Sequence, residues 1–161
     1  MQSQYFHYEK NKVIQALRYH FISRIEIKVM MIVVNVFALI SAVLFYIKLI
    51  SPVAFLLSSV LWFSLMLTFW YLLPKTIYKK TKTFQDRFFA ILNKDSFAIE
   101  NERGNKSWKW EEFSDILYSP HFFHLYFNSR SFLLIPKDAF TGEDQYEAKR
   151  IFDQKIKNRL H

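Results

Sequence analysis

Among side chains able to carry chemistry, His121 and His124, with Glu111, Glu112 and Asp115 upstream, form the densest group in the sequence. Imidazole and carboxylate together suit a divalent metal or a general acid–base pair. Around the two histidines the residues alternate as in a β-strand, and strand positions three apart point to opposite faces. The pair can therefore chelate one ion only across a bend or bulge. The plainer reading is two histidines at the surface of a strand or packed within it. His7 and His20 belong to the N-terminal region and would have to approach from there. Ser119 and Ser131 lack the base and the strained elbow that activate a serine nucleophile. Cysteine is absent, and Gly104 and Gly142 are the two glycines. This removes thiolate chemistry, disulfides and the glycine-rich loops that bring backbone N–H groups to phosphate. The expectation is a non-enzymatic chain with no catalytic residue, no metal ligand and no cofactor.

The elements that must position any other site are set by two apolar runs. Residues 29–47 and 49–73 contain no charged side chain, and Lys48 alone separates them. At 1.5 Å per residue, the first run spans about 28 Å as a helix, close to the hydrocarbon thickness of a bilayer. Buried helices of a soluble core rarely run so far without a charged face. The pattern predicts spans at 29–47 and 53–73 joined by a short turn, with Pro52 in the first turn of the second helix. The first run begins too late and is too long for a cleavable signal segment. Asn35, Ser64 and Thr68 are polar, uncharged and fall at similar depth, so they read as interhelical packing contacts rather than as a transport path.

The net charge of +8 lies entirely beside these runs. Residues 1–28 contribute +3, Lys48 +1 and residues 74–82 +4, while residues 83–161 balance twelve bases against twelve acids. A nucleic-acid binder would carry its basic patch on the folded domain, so no nucleic-acid partner is expected. The distribution follows the positive-inside rule and places both termini in the cytoplasm of a multi-pass protein of the inner (plasma) membrane. Lys75, Lys79, Lys80 and Lys82 are the candidate membrane-surface residues, with anionic lipid as a ligand and topology determinants as the plainer role.

Before the first span, Ile14, Leu17, Phe21 and Ile25 recur at helical spacing, predicting an amphipathic helix over 11–28 with Asn11 as its N-cap. Residues 4–8 are aromatic and strand-like. After Thr83 the pattern turns to period two, predicting strands at 84–92, 97–102, 106–110, 113–118, 122–127 and 130–135. A helix follows over 143–160, with Thr141 and Asp144 approximating a capping box. Six antiparallel strands closed by a helix predict a small curved sheet or partial barrel. Trp108 and Trp110, two apart on one strand, share a face and are the candidate interaction surface, although filling the core is the plainer reading.

The elements Trp108-Lys109-Trp110-Glu111-Glu112-Phe113, His121-Phe122-Phe123-His124-Leu125-Tyr126-Phe127 and Leu134-Ile135-Pro136-Lys137-Asp138-Ala139-Phe140 before a final helix resemble the YcxB-like family of small bacterial membrane proteins. The resemblance implies two spans followed by a pleckstrin-homology-like domain, and no reaction. A full barrel of that type has seven strands, and residues 4–8 are the candidate for the seventh. The fold class expected is thus an α+β membrane protein: a two-helix transmembrane hairpin followed by a small antiparallel, pleckstrin-homology-like domain with a C-terminal helix. Its parts are an N-terminal segment (1–28), the hairpin (29–73), a basic juxtamembrane segment (74–82) and a cytoplasmic domain (83–161). The function expected is binding or scaffolding, with the lipid bilayer and an unidentified protein as partners and self-association through the spans compatible. The alternative is a membrane-embedded enzyme or a transporter accessory subunit with a site at the cytoplasmic membrane surface, near His20 and Lys75 to Lys82.

Overall fold

The computed structural model describes residues 1–156 as an α+β fold with two small antiparallel sheets. Strand β1 (Phe6–His7) is followed by helices α1 (Lys10–Ser23), α2 (Ile25–Tyr46) and α3 (Pro52–Leu67). A π-helical turn (Thr68–Leu72) carries α3 into α4 (Leu73–Lys80). Then come β2 (Arg87–Leu92), β3 (Ser96–Asn101), β4 (Gly104–Lys109), β5 (Asp115–Tyr118), β6 (Phe122–Tyr126), β7 (Phe132–Pro136) and α5 (Glu143–Lys155). The chain divides into two compact units, and the division runs through α1. Among the described residues, one unit comprises residues 1–16 with residues 82–156; the other comprises residues 17–81.

In the strand-rich unit the sheets have the orders β1-β2-β3-β4 and β5-β6-β7. The strand pattern predicts one curved sheet or partial barrel, whereas the structure has two sheets; the break falls at Trp110, where a 3-10 turn (Trp110–Glu112) ends β4. The N-terminal residues form the edge of the first sheet, Phe6 opposite Phe88 and His7 opposite Arg87. The Ser3 amide extends this edge by donating to the Ala90 carbonyl at 2.9 Å. Helix α5 joins the two sheets through one ring. Phe152 is fully buried and lies 6.1 Å from Phe97 of β3, 6.1 Å from Trp110 and 5.2 Å from Phe123 of β6. A second anchor is Tyr118, whose hydroxyl donates to the Asp153 carboxylate at 2.7 Å. The N-cap of α5 is Gly142, at φ 57°, and no side chain caps it, so the Thr141–Asp144 capping box does not form; Thr141 instead offers its carbonyl to the Asp144 amide. The predicted continuation over 157–160 lies outside the described residues.

In the helical unit, α2 and the rod from Pro52 to Lys80 are long and apolar enough to cross a membrane, by length and composition. Ser41 is the one buried residue of α2 and α3 has none, while Leu39 and Leu57 are 68% and 65% exposed. The turn between them is a Schellman motif: the Leu49 amide donates to the Leu44 carbonyl and the Lys48 amide to that of Phe45. Ser51 caps α3, its Oγ accepting from the Ala54 amide at 3.2 Å, and Pro52 occupies the first turn.

Three helix boundaries differ from the periodicity. Asn11 lies inside α1, which starts at Lys10, and α1 stops at Ser23 because Arg24 is extended (φ −74°, ψ 128°). The second apolar helix does not end near Leu73 but continues to Lys80, so Lys75, Lys79 and Lys80 belong to the same rod as the apolar run.

Candidate functional site

The residues with chemical potential are placed apart. His124 is fully buried on β6, paired with Leu117 and Leu134 across the sheet, its ring stacked near Tyr126 and Phe132. His121 is exposed before β6, and its carbonyl accepts from the Lys137 amide at 2.9 Å. Ser119 closes the turn between β5 and β6, its Oγ within 3.3 Å of both the amide and the carbonyl of Phe122. Ser131 sits in the β6–β7 turn, where its amide donates to Asn128. Among the described residues no group of three His, Asp or Glu could hold a metal ion. His20 on α1 is buried, and burial, with the charge of Arg24 as the smaller cause, pushes its pKa down to about 4.

The two tryptophans have separate environments, because the 3-10 turn breaks the period-two pattern between them. Trp110 is 2% exposed, with its indole N–H donating to the Asn93 carbonyl at 3.1 Å, and is a core residue. A backbone bond secures the turn that buries it: the Lys109 amide donates to the Glu112 carboxylate at 2.8 Å. Trp108, on β4 opposite Phe97, stays half-buried, with the Lys106 ammonium 5.2 Å from its ring centre. It lines a groove of about 420 Å³ whose walls include Tyr8, Phe88 and Leu133 and whose polar side carries Asn101, Arg103 and Lys106. Arg103 reaches Asp86 at 3.5 Å. Tyr8, which closes one side, is anchored by its hydroxyl donating to the Leu134 carbonyl at 2.8 Å; burial raises its pKa. Sequence spacing pointed to Trp108, but Tyr8 joins it only through the pairing of the N-terminal segment with β2.

A second hollow of about 620 Å³ is lined by Lys94, Lys109 and Lys155 together with Asp95 and Glu111. Its mixed charge gives no preference for an anion.

In the helical unit the Lys75 ammonium lies 3.6 Å from the centre of the Tyr71 ring. Lys79 and Lys80 are exposed in the last turn of α4, where cations complement the helix dipole, and Lys82 opens the following 3-10 turn. No hydrogen bond joins Asn35 to Ser64 or Thr68. Trp62 donates its indole N–H to Asn35 at 3.3 Å, the Asn35 amide donates back to the Met31 carbonyl, and Thr68 donates to the Ser64 carbonyl within its own helix. A second polar contact across the helices joins Ser41 and Ser58, whose Oγ atoms are 2.6 Å apart. The compact turn sets this register and brings Phe45 to stack on Phe55 at 4.5 Å.

The family model described as YcxB-like protein matches residues 92–150, less than half of the chain. No curated protein and no solved structure matches it.

Proposed function

We propose that this chain is a non-enzymatic integral membrane protein, similar to YcxB-like proteins, whose strand-rich unit is a cytoplasmic binding or scaffolding module. Helix α2 and the rod from Pro52 to Lys80 cross the bilayer as a hairpin, with both chain ends inside. The observation that carries this reading is the bareness of these helices: apolar side chains are exposed all along them, and Ser41 is the one buried residue of α2 and α3. In water this surface exceeds what soluble chains leave uncovered, whereas hydrocarbon covers it without cost. The concentration of lysine and arginine beside the helices supports the orientation.

Seven strands in two antiparallel sheets with a helix after the last strand support a pleckstrin-homology-like reading of the other unit. Its recognition surface is the groove beside Trp108, where a half-exposed indole and Arg103 are of the residue types enriched at binding hot spots and Lys106 adds a second cation. A protein partner with an apolar anchor flanked by acid suits it.

The native chain has no cysteine, so single cysteines report sidedness cleanly. In intact cells a membrane-impermeant maleimide should label Lys48→Cys and leave Lys80→Cys unlabelled until the membrane is broken. The reverse pattern, or recovery of the chain from lysates without detergent, overturns the reading.

A further inference from the structure

Within the helical unit, α1, the start of α2 and the π-helical turn enclose a groove of about 290 Å³. Its walls are almost wholly apolar, from Phe21, Met31, Phe69 and Trp70, and the charged residues lining it are Arg18 and Lys28, both cationic. No carboxylate lines it. An apolar slot with two cations and no acid has the chemistry of a lipid site: hydrocarbon fills the slot and a phosphate answers the charges. Trp70 and Tyr71, with Lys75 over the Tyr71 ring, supply the aromatic and basic residues that mark an interfacial depth. Arg18 spends one of its five N–H donors on the Trp70 carbonyl. The guanidinium is thereby fixed beside the slot, with further donors for a phosphate.

We propose that this groove seats one phospholipid of net negative charge, with an acyl chain against Phe21, Met31 and Phe69 and the phosphate on Arg18 and Lys28. This assignment rests on the membrane reading above. It is separate from any diffuse attraction by the lysines of α4, which stand on an open helix surface.

The test uses the full chain purified in detergent and exposed to phosphatidylglycerol or phosphatidylcholine at equal concentration, with bound lipid counted by native mass spectrometry. The expected result is one phosphatidylglycerol per chain, retained several-fold better than phosphatidylcholine. Lys28→Gln should lower retention about fivefold, the effect of one cation near a membrane surface. Lys48→Gln removes the same charge from the turn between α2 and α3, outside the groove, and should change retention less than twofold. Arg18→Gln should act at least as strongly, but because Arg18 also holds the Trp70 carbonyl, Lys28→Gln carries the decision. Equal retention of the two lipids, or equal losses in Lys28→Gln and Lys48→Gln, overturns the site. A chain that needs detergent yet retains no phosphatidylglycerol overturns the groove alone. A chain that stays dissolved without detergent overturns the groove together with the membrane reading.

Discussion

The Nε–H of Arg18 donates to the backbone carbonyl of Trp70 at 2.8 Å, across 52 residues of chain. The cause lies at Pro74. In an uninterrupted helix the amide of residue 74 would serve that carbonyl, but proline has no N–H and its ring crowds the carbonyl four residues back. The helix answers with a π-helical turn, the Leu73 amide donating to Thr68, and the Trp70 carbonyl, which no residue-74 amide can serve, takes a charged donor from α1. The guanidinium carbon also lies 5.5 Å from the centre of the Trp70 ring.

This account makes the role of Arg18 conditional on Pro74. Arg18→Met should destabilise the helical unit by about 1–2 kcal/mol, the scale of a hydrogen bond from a charged donor together with a cation–π contact. With Pro74→Ala already present, the amide of residue 74 serves the carbonyl and the same change should cost less than half as much. Thermal unfolding of the four proteins in one detergent closes the cycle. An Arg18→Met cost independent of Pro74 would show that the carbonyl is not what Arg18 is for.

In the strand-rich unit, stability and recognition should separate between Phe152 and Trp108. Phe152 is fully enclosed between Phe97, Trp110 and Phe123, so Phe152→Ala should cost about 3–5 kcal/mol by leaving a cavity where the two sheets meet. Phe152→Leu, closer in volume, should cost under about 1.5 kcal/mol. Trp108→Ala removes a half-exposed ring and should cost about 1 kcal/mol, while abolishing capture of any partner that uses the groove. Denaturant unfolding of these variants is the measurement; a Trp108→Ala loss as large as that of Phe152→Ala would make Trp108 a core residue.

The difference between these rings also marks where sequence patterns stop being readable. Uncharged runs of this length announce α2 and α3, and alternation bounded by Asn93-Lys94-Asp95 and Asn128-Ser129 announces the hairpins. Both are signals internal to a short window. The alternation that places Trp108 on a strand continues through Trp110, so the 3-10 turn that buries Trp110 leaves no trace in periodicity. Residues 4–8 look like a strand, but their partner, β2, is eighty residues away and no local rule names it. Pro74 disfavours a helical residue before it, and nothing in the local sequence shows that the Trp70 carbonyl takes a donor from α1. A symmetric hairpin aligns Asn35 with Ser64 and Thr68, whereas the turn sets the register and gives it Trp62. The groove beside Arg18 needs the same long-range information, since Arg18 and Lys28 are ordinary members of a basic amphipathic segment.

His20 should make stability depend on acidity. Its folded pKa of about 4 lies below the ordinary histidine value because burial opposes the charged form and Arg24 adds a like charge. Above pH 6.5 the ring is neutral in both folded and unfolded chains and exerts no effect. As pH falls from 6.5 toward 4, the unfolded chain takes up a proton that the folded chain refuses, so stability declines across that window and levels off below it. His20→Gln should flatten this part of the profile, leaving the acid-side fall from carboxylates. The unfolding midpoint of both proteins, followed from pH 7.5 to 4, checks it, and parallel profiles would mean that His20 titrates normally.

The turn between the apolar helices stores strain at Lys48, whose φ of 61° is left-handed. A side chain with a Cβ pays about 1 kcal/mol there relative to glycine, the usual occupant of this position in a Schellman motif. Lys48→Gly should therefore raise the stability of the hairpin by about that amount without changing the bonds of Leu49 to Leu44 and Lys48 to Phe45, which are made by backbone atoms. It also removes the one charge between the two runs, which opposes the orientation favoured by the +3 and +4 segments. Both effects point the same way: a hairpin harder to unfold and a more uniform population with its ends inside. Thermal melts combined with maleimide labelling of Ser51→Cys in intact cells measure them together. A melt unchanged by Lys48→Gly but lowered by Lys48→Val would show that the left-handed backbone is held without strain for an unbranched side chain.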